Sequence, residues 1–83
     1  MVTVEQAKEF ARDYLGTLKA KGLKNTFRSI KEISRIMGID FNKACRFVIV
    51  AKENKFMCAD AFSLPRYMAF PTLFKVWEEH ITV

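Results

Sequence analysis

Apolar residues recur along the chain at steps of three and four, and this spacing predicts three helices before it predicts anything else. Val4, Ala7, Phe10, Ala11, Tyr14, Leu15 and Leu18 form one stripe, with Glu5, Lys8, Glu9, Arg12 and Asp13 off it. A first helix is therefore expected over Val4–Ala20, opened by the capping-box pair Thr3 and Gln6 and closed near Gly22. Leu23–Phe27 reads as a short connector in which Phe27 drops into the core. Ser29 and Glu32 repeat the capping-box spacing, and Ile30, Ile33, Ile36 and Met37 give a second helix, Ser29–Met37, its buried face. Gly38 suits a turn that needs positive φ. Ile39 is expected beneath that turn, and Asp40 is the natural N-cap of a third helix, Phe41–Asn54.

On that third helix, Ala44, Cys45, Phe47, Val48, Ile49 and Ala51 fall on a broad apolar arc. Asn42, Lys43, Arg46 and Glu53 gather opposite, with Val50 among them. So wide an arc implies either a nearly central helix or one that meets another subunit. After it, Phe56–Cys58 reads as a strand entered through the turn Asn54-Lys55. Ala59–Pro65 is expected as a wing tip and Arg66–Phe70 as the return strand, with a helical turn over ADAFSL as the other reading. Pro71-Thr72 would open a last helix, on which Leu73, Val76, Trp77 and His80 sit at helical spacing beside Phe74.

Eighty-three residues make one domain, 1–83, with a limited core. Half of the chain is hydrophobic, which excludes a disordered tail. No apolar run approaches the roughly 20 residues of a membrane span, so no membrane partner is expected. The opening MVTVEQAKEF has no basic segment followed by an apolar block, so it does not read as a secretory signal. Cys45 and Cys58 lack a metal-ligand spacing and read as reduced thiols of a cytoplasmic protein.

Charge changes the picture more. Between Lys19 and Lys55 ten basic residues face three acidic ones, giving +7 for this stretch and −2 for the rest of a chain of net charge +5. Taken singly, each of these cations is an ordinary solvated charge. Clustered around a helix–turn–helix pattern, they suit a polyanion such as DNA. Enzyme chemistry has little to work with. His80 is the lone histidine, Cys45 lies on an apolar face, and there is neither a phosphate-binding glycine loop nor a carboxylate cluster. No enzyme activity, cofactor or metal is expected.

The stretch Ser29–Met57 resembles the winged-helix family of DNA-binding domains. Ile33, Ser34 and Met37 match the supporting helix, Gly38-Ile39 the turn and Asp40 the cap. Ala44 and Val48 match inward positions of the recognition helix, Arg46 a frequent outward arginine, and Phe56-Met57 the start of the wing strand. The likeness covers about 29 residues and extends to the flanks only in layout. Three features depart from the family. Asn54-Lys55 stands where a turn ending in glycine is usual. Phe41 takes an early helix position that is often polar. The wing is poor in basic residues.

The resemblance implies a mostly α fold with a small β-hairpin: a winged helix–turn–helix with a three-helix core, a wing and a C-terminal helix. It implies sequence-specific binding of double-stranded DNA by a small transcriptional regulator, nucleoid-associated in the cytoplasm, with helix 41–54 in the major groove. Asn42, Lys43 and Arg46 would reach bases or nearby phosphates, since Arg pairs bidentately with guanine and Asn with adenine. Ser29, Lys31, Arg28, Lys24 and Arg66 would grip phosphates and fix register. Phe41 would either tuck inward or touch a thymine methyl. Phe41, Val50, Phe74 and Trp77 are interface candidates for a homodimer. The competing expectation is a protein-interaction module on the same scaffold, either a complex subunit or a mobile-element factor that binds a host protein. The breadth of the third helix, Phe41 and the weakly basic wing favour it.

Overall fold

Capping decides where the helices begin. In this computed structural model, which describes residues 1–60 and 73–81, α1 spans Val4–Ala20. Thr3 Oγ1 accepts from the Gln6 N–H at 3.1 Å, and Gln6 Oε1 accepts from the Thr3 N–H at 2.9 Å. Ala7, Phe10, Ala11, Tyr14, Leu15 and Leu18 are all buried, as their spacing predicts. Val4 departs from the stripe at 50% exposed. Gly22, at φ 68°, turns the chain, and Leu23 N–H donates back to the Leu18 carbonyl at 2.8 Å.

A two-residue strand, β1 (Arg28–Ser29), precedes α2 (Ile30–Met37). Ser29 and Glu32 cap α2 reciprocally, and Gly38 ends it at φ 66°, left-handed as the turn requires. Asp40 then accepts from the Asn42 and Lys43 N–H groups and opens α3 (Phe41–Glu53). The left-handed residue after α3 is Lys55, at φ 67°, and not Asn54. Asn54 instead donates from Nδ2 to the Val50 carbonyl at 2.8 Å. The chain continues into β2 (Met57–Ala59), β3 (Leu73–Val76) and a four-residue α4 (Glu78–Ile81).

The strands form one antiparallel sheet in the order β1-β3-β2, with Arg28 opposite Phe74 and Cys58 opposite Lys75. The described chain is thus mostly helical with a small three-stranded sheet, an arrangement compatible with a winged-helix-like layout.

Three expectations need correction. Leu73–Val76 is a strand, although Leu73, Val76, Trp77 and His80 fit a helical period. Over so short a run the alternation of Phe74 and Val76, both buried, against half-buried Leu73 and Lys75 competes with that period, and pairing on two sides decides it. Phe74 is therefore core, at 6% exposed, and no free interface residue. Phe27 does not drop into the core; it is 39% exposed, with Lys75 Nζ 5.3 Å from its ring centroid. Of the wing, Ala59 lies in β2, and positions 61–66, including Arg66, lie outside the described residues, as does the expected return strand 66–70.

The core joins α1, α3 and the sheet. Leu18, Ile33, Val48, Met57 and Val76 are at most 1% exposed, and Phe10 stacks on Phe47 with centroids 4.9 Å apart. Tyr14 is fully buried, and among the described residues its Oη has no hydrogen-bond partner. Burial pushes this phenol above its ordinary value of 10.0, and the nearby Arg28 guanidinium offsets that only in part. The folded form therefore holds its proton at pH values where the unfolded chain has lost it. Stability is full below the unfolded value of 10.0 and falls as pH rises through it. Tyr14→Phe should leave stability unchanged or raise it by about 1 kcal/mol near neutral pH, and should flatten the alkaline decline. Urea unfolding at two pH values measures both effects. A clear loss of stability in the Phe variant would mean that the hydroxyl is bonded after all.

Candidate functional site

The two sides of α3 differ sharply. Ala44, Val48 and Ala51 are completely buried, so the helix is held from one side by the core. At 100° steps the opposite direction carries Asn42, Arg46 and Glu53, with Ile49 beside them, and all four are exposed. Among the described residues the Arg46 side chain makes no hydrogen bond or ion pair, which leaves its guanidinium available.

Ile49 departs from the expected apolar arc. It is 51% exposed and belongs to the outward face. Phe41, expected either inward or outward, lies outward at 49% exposed. Phe41, half-buried Cys45 and Ile49 follow at i, i+4 and i+8, an apolar row beside the polar row of Asn42 and Arg46. Burial pushes the Cys45 thiol up, adjacent Arg46 draws it down and Asp40 up, so it stays a neutral thiol at physiological pH. Val50 is half-buried and packs against the core, which removes most of it from any interface.

The expected phosphate contacts divide. Lys24 and Lys31 are exposed, as is Arg35, which lies one turn after Lys31. Ser29 is already committed: its hydroxyl accepts from the Glu32 N–H at 3.2 Å, and its own N–H donates to Glu32 Oε1 at 3.3 Å. Arg28 is half-buried and donates from Nη1 to the Lys24 carbonyl at 2.7 Å, so it ties down the connector. Lys43 is exposed but turns toward α1. There it lines a shallow cleft of about 260 Å³ with Glu9, Asp13, Phe10 and Phe47. Lys43 and Arg46 thus leave the helix on different sides, Arg46 outward and Lys43 beside carboxylates.

Sequence reasoning passed over Asn25 and saw His80 only as a lone histidine on the last helix, and the fold gives both a structural role. Asn25, in the presumed connector, accepts from the Val76 N–H at 2.9 Å and donates to the Val76 carbonyl at 2.8 Å. Its side-chain amide thus extends the β1–β3 ladder as a strand residue would. Nothing at the level of spacing signals this pairing across the chain. His80 Nδ1 lies 2.9 Å from the Lys55 carbonyl. A carbonyl only accepts, so Nδ1 carries the proton. The ring also stacks on Trp77 at 4.7 Å, and Trp77 N–H donates to the Phe56 carbonyl at 2.8 Å. Together these contacts pin the C-terminal segment to the turn after α3. Trp77 is left 37% exposed.

Among the described residues no group of three His, Cys, Asp or Glu side chains is arranged to hold a metal ion. Nor, among them, is any helix long and apolar enough to cross a membrane. No protein-family model matches the chain, and no curated protein or solved structure matches it either.

Proposed function

We propose that this chain is a winged-helix protein that binds double-stranded DNA by placing α3 in the major groove, as a small transcriptional regulator. The observation that carries the reading is α3 itself. It is fully buried along Ala44, Val48 and Ala51, and it presents the planar hydrogen-bonding groups of Asn42 and Arg46 outward, one turn apart. A rigidly backed helix with such groups matches the base edges of the groove. The +7 charge of residues 19–55 supplies attraction to phosphate. Lys24, Lys31 and Arg35 are the exposed cations for phosphate contacts, and the order β1-β3-β2 with β2 following α3 supports the winged-helix reading.

Fluorescence anisotropy of the protein against a mixed-sequence duplex, repeated at several salt concentrations, tests the proposal. The expected result is a log-log slope of about −3 to −5, which corresponds to roughly three to six phosphates neutralised. Absence of binding at low salt would remove the DNA reading.

A second reading is a protein-interaction module, and the exposure of Phe41, Ile49 and Trp77 favours it. Binding through those residues would change little with salt, so the same titration against a candidate protein separates the two classes.

A further inference from the structure

We infer, resting on the DNA reading above, that α3 recognises the C5-methyl groups of thymine, through the apolar row Phe41–Cys45–Ile49, at A·T base pairs beside those contacted by Asn42 and Arg46. Isolated exposed apolar residues are ordinary on a protein surface. Here they are aligned. Phe41 is 49% and Ile49 51% exposed, half-buried Cys45 lies between them, and the three form one row at four-residue steps, running from the edge of the buried side at Phe41 to the outward side at Ile49.

The outward side next to that row carries Asn42 and Arg46. A row of hydrogen-bonding groups lying beside an apolar row has a counterpart in the major groove. There each thymine sets a methyl group next to its O4 acceptor and the N6 and N7 edge of adenine. The methyl is the one apolar group that distinguishes the four base pairs in that groove.

Phe41 and Ile49 are separated by eight helical steps, about 12 Å along the axis. That span bridges at most about four base-pair steps of about 3.4 Å. The row is thus short enough to meet methyls within one half-site. Cys45 acts here as a small hydrophobe, and its neutral thiol suits that use. Charge selects DNA over an apolar protein groove as the occupant, since the same helix holds Lys43, Arg46 and Lys52 and lies within the +7 block.

Replacing thymine by deoxyuridine removes the methyl and leaves charge and base pairing unchanged. The test uses the tightest duplex selected from a random-sequence pool, prepared in thymine and deoxyuridine forms and titrated at one salt concentration. The thymine form should bind about fourfold more tightly for each methyl buried, and on the order of tenfold for two. The salt slope should be the same for both forms. In Phe41→Ala/Ile49→Ala the two forms should bind alike, while salt-dependent binding persists. Both side chains are exposed, so the variant keeps its core, and circular dichroism checks this.

Equal affinity of the wild-type protein for the two forms would overturn the inference while leaving DNA binding in place. A preference that survives in the double variant would overturn its assignment to this row. Failure to bind either form at low salt is a different result. It removes the DNA reading and the methyl readout with it.

Discussion

Alanine at both Lys43 and Arg46 should weaken duplex binding by at least about 100-fold while leaving helical content and thermal stability unchanged. The expectation follows from what Arg46 does not do in the fold. It is exposed, and among the described residues its side chain has no hydrogen bond or ion pair to lose. A bidentate arginine–base contact is worth about 1–3 kcal/mol, and the loss of two cations near phosphate adds to it. The two side chains should not contribute equally. Lys43 shares its cleft with Glu9 and Asp13, so part of its field is cancelled before DNA arrives. Arg46→Ala alone should therefore account for most of the loss, and Lys43→Ala alone should show chiefly as a shallower salt dependence. Anisotropy titrations of the two single variants and the double variant measure this ordering. Unaltered affinity in the double variant would take α3 out of the site.

Asn25→Ala should cost about 2–4 kcal/mol of folding stability, a large effect for a half-exposed side chain. Val76 is 1% exposed, and both of its backbone groups on the β1 side are satisfied by the Asn25 amide. Truncation leaves a buried N–H and a buried C=O without partners, each at about 1–3 kcal/mol. For a domain of this size that corresponds to a fall in Tm on the order of 10 °C or more. Asn25→Asp is the informative companion. It keeps an acceptor for the Val76 N–H but sets a carboxylate against the Val76 carbonyl, and it replaces the 3.0 Å donor contact to Glu78 Oε2 with like charge. It should be no more stable than the alanine variant. Thermal unfolding followed by circular dichroism is the measurement, and a fall of only a few degrees for Asn25→Ala would show that water replaces the amide without cost.

The readable parts of this fold share a physical character: their causes lie within a few residues of their effects. Thr3 and Gln6 cap α1, Ser29 and Glu32 cap α2, Asp40 caps α3, and Gly38 sits at positive φ. Each depends on hydrogen bonds or steric limits spanning at most four positions, so the boundaries of these three helices came out within about one residue. The inward stripe of α1 followed from its period alone. For the candidate site, the same local logic placed Asn42 and Arg46 on the outward side of α3.

What spacing did not reveal depends on distant partners. Leu73–Val76 carries both a helical and an alternating pattern, and only pairing with β1 on one side and β2 on the other makes it a strand. That choice moves Phe74 into the core. Ile49 and Phe47 are both apolar, yet Ile49 is left outside while Phe47 stacks on Phe10, because α1 covers only one flank of α3. Ser29 and Arg28 hold structural bonds to Glu32 and the Lys24 carbonyl, and spacing alone did not reveal the second of them. Local chemistry thus set the helices, their caps and the polar row of α3. Long-range packing alone decided the sheet, the role of Asn25 and which apolar side chains of α3 stay in solvent, since burial is a property of what the rest of the chain brings alongside.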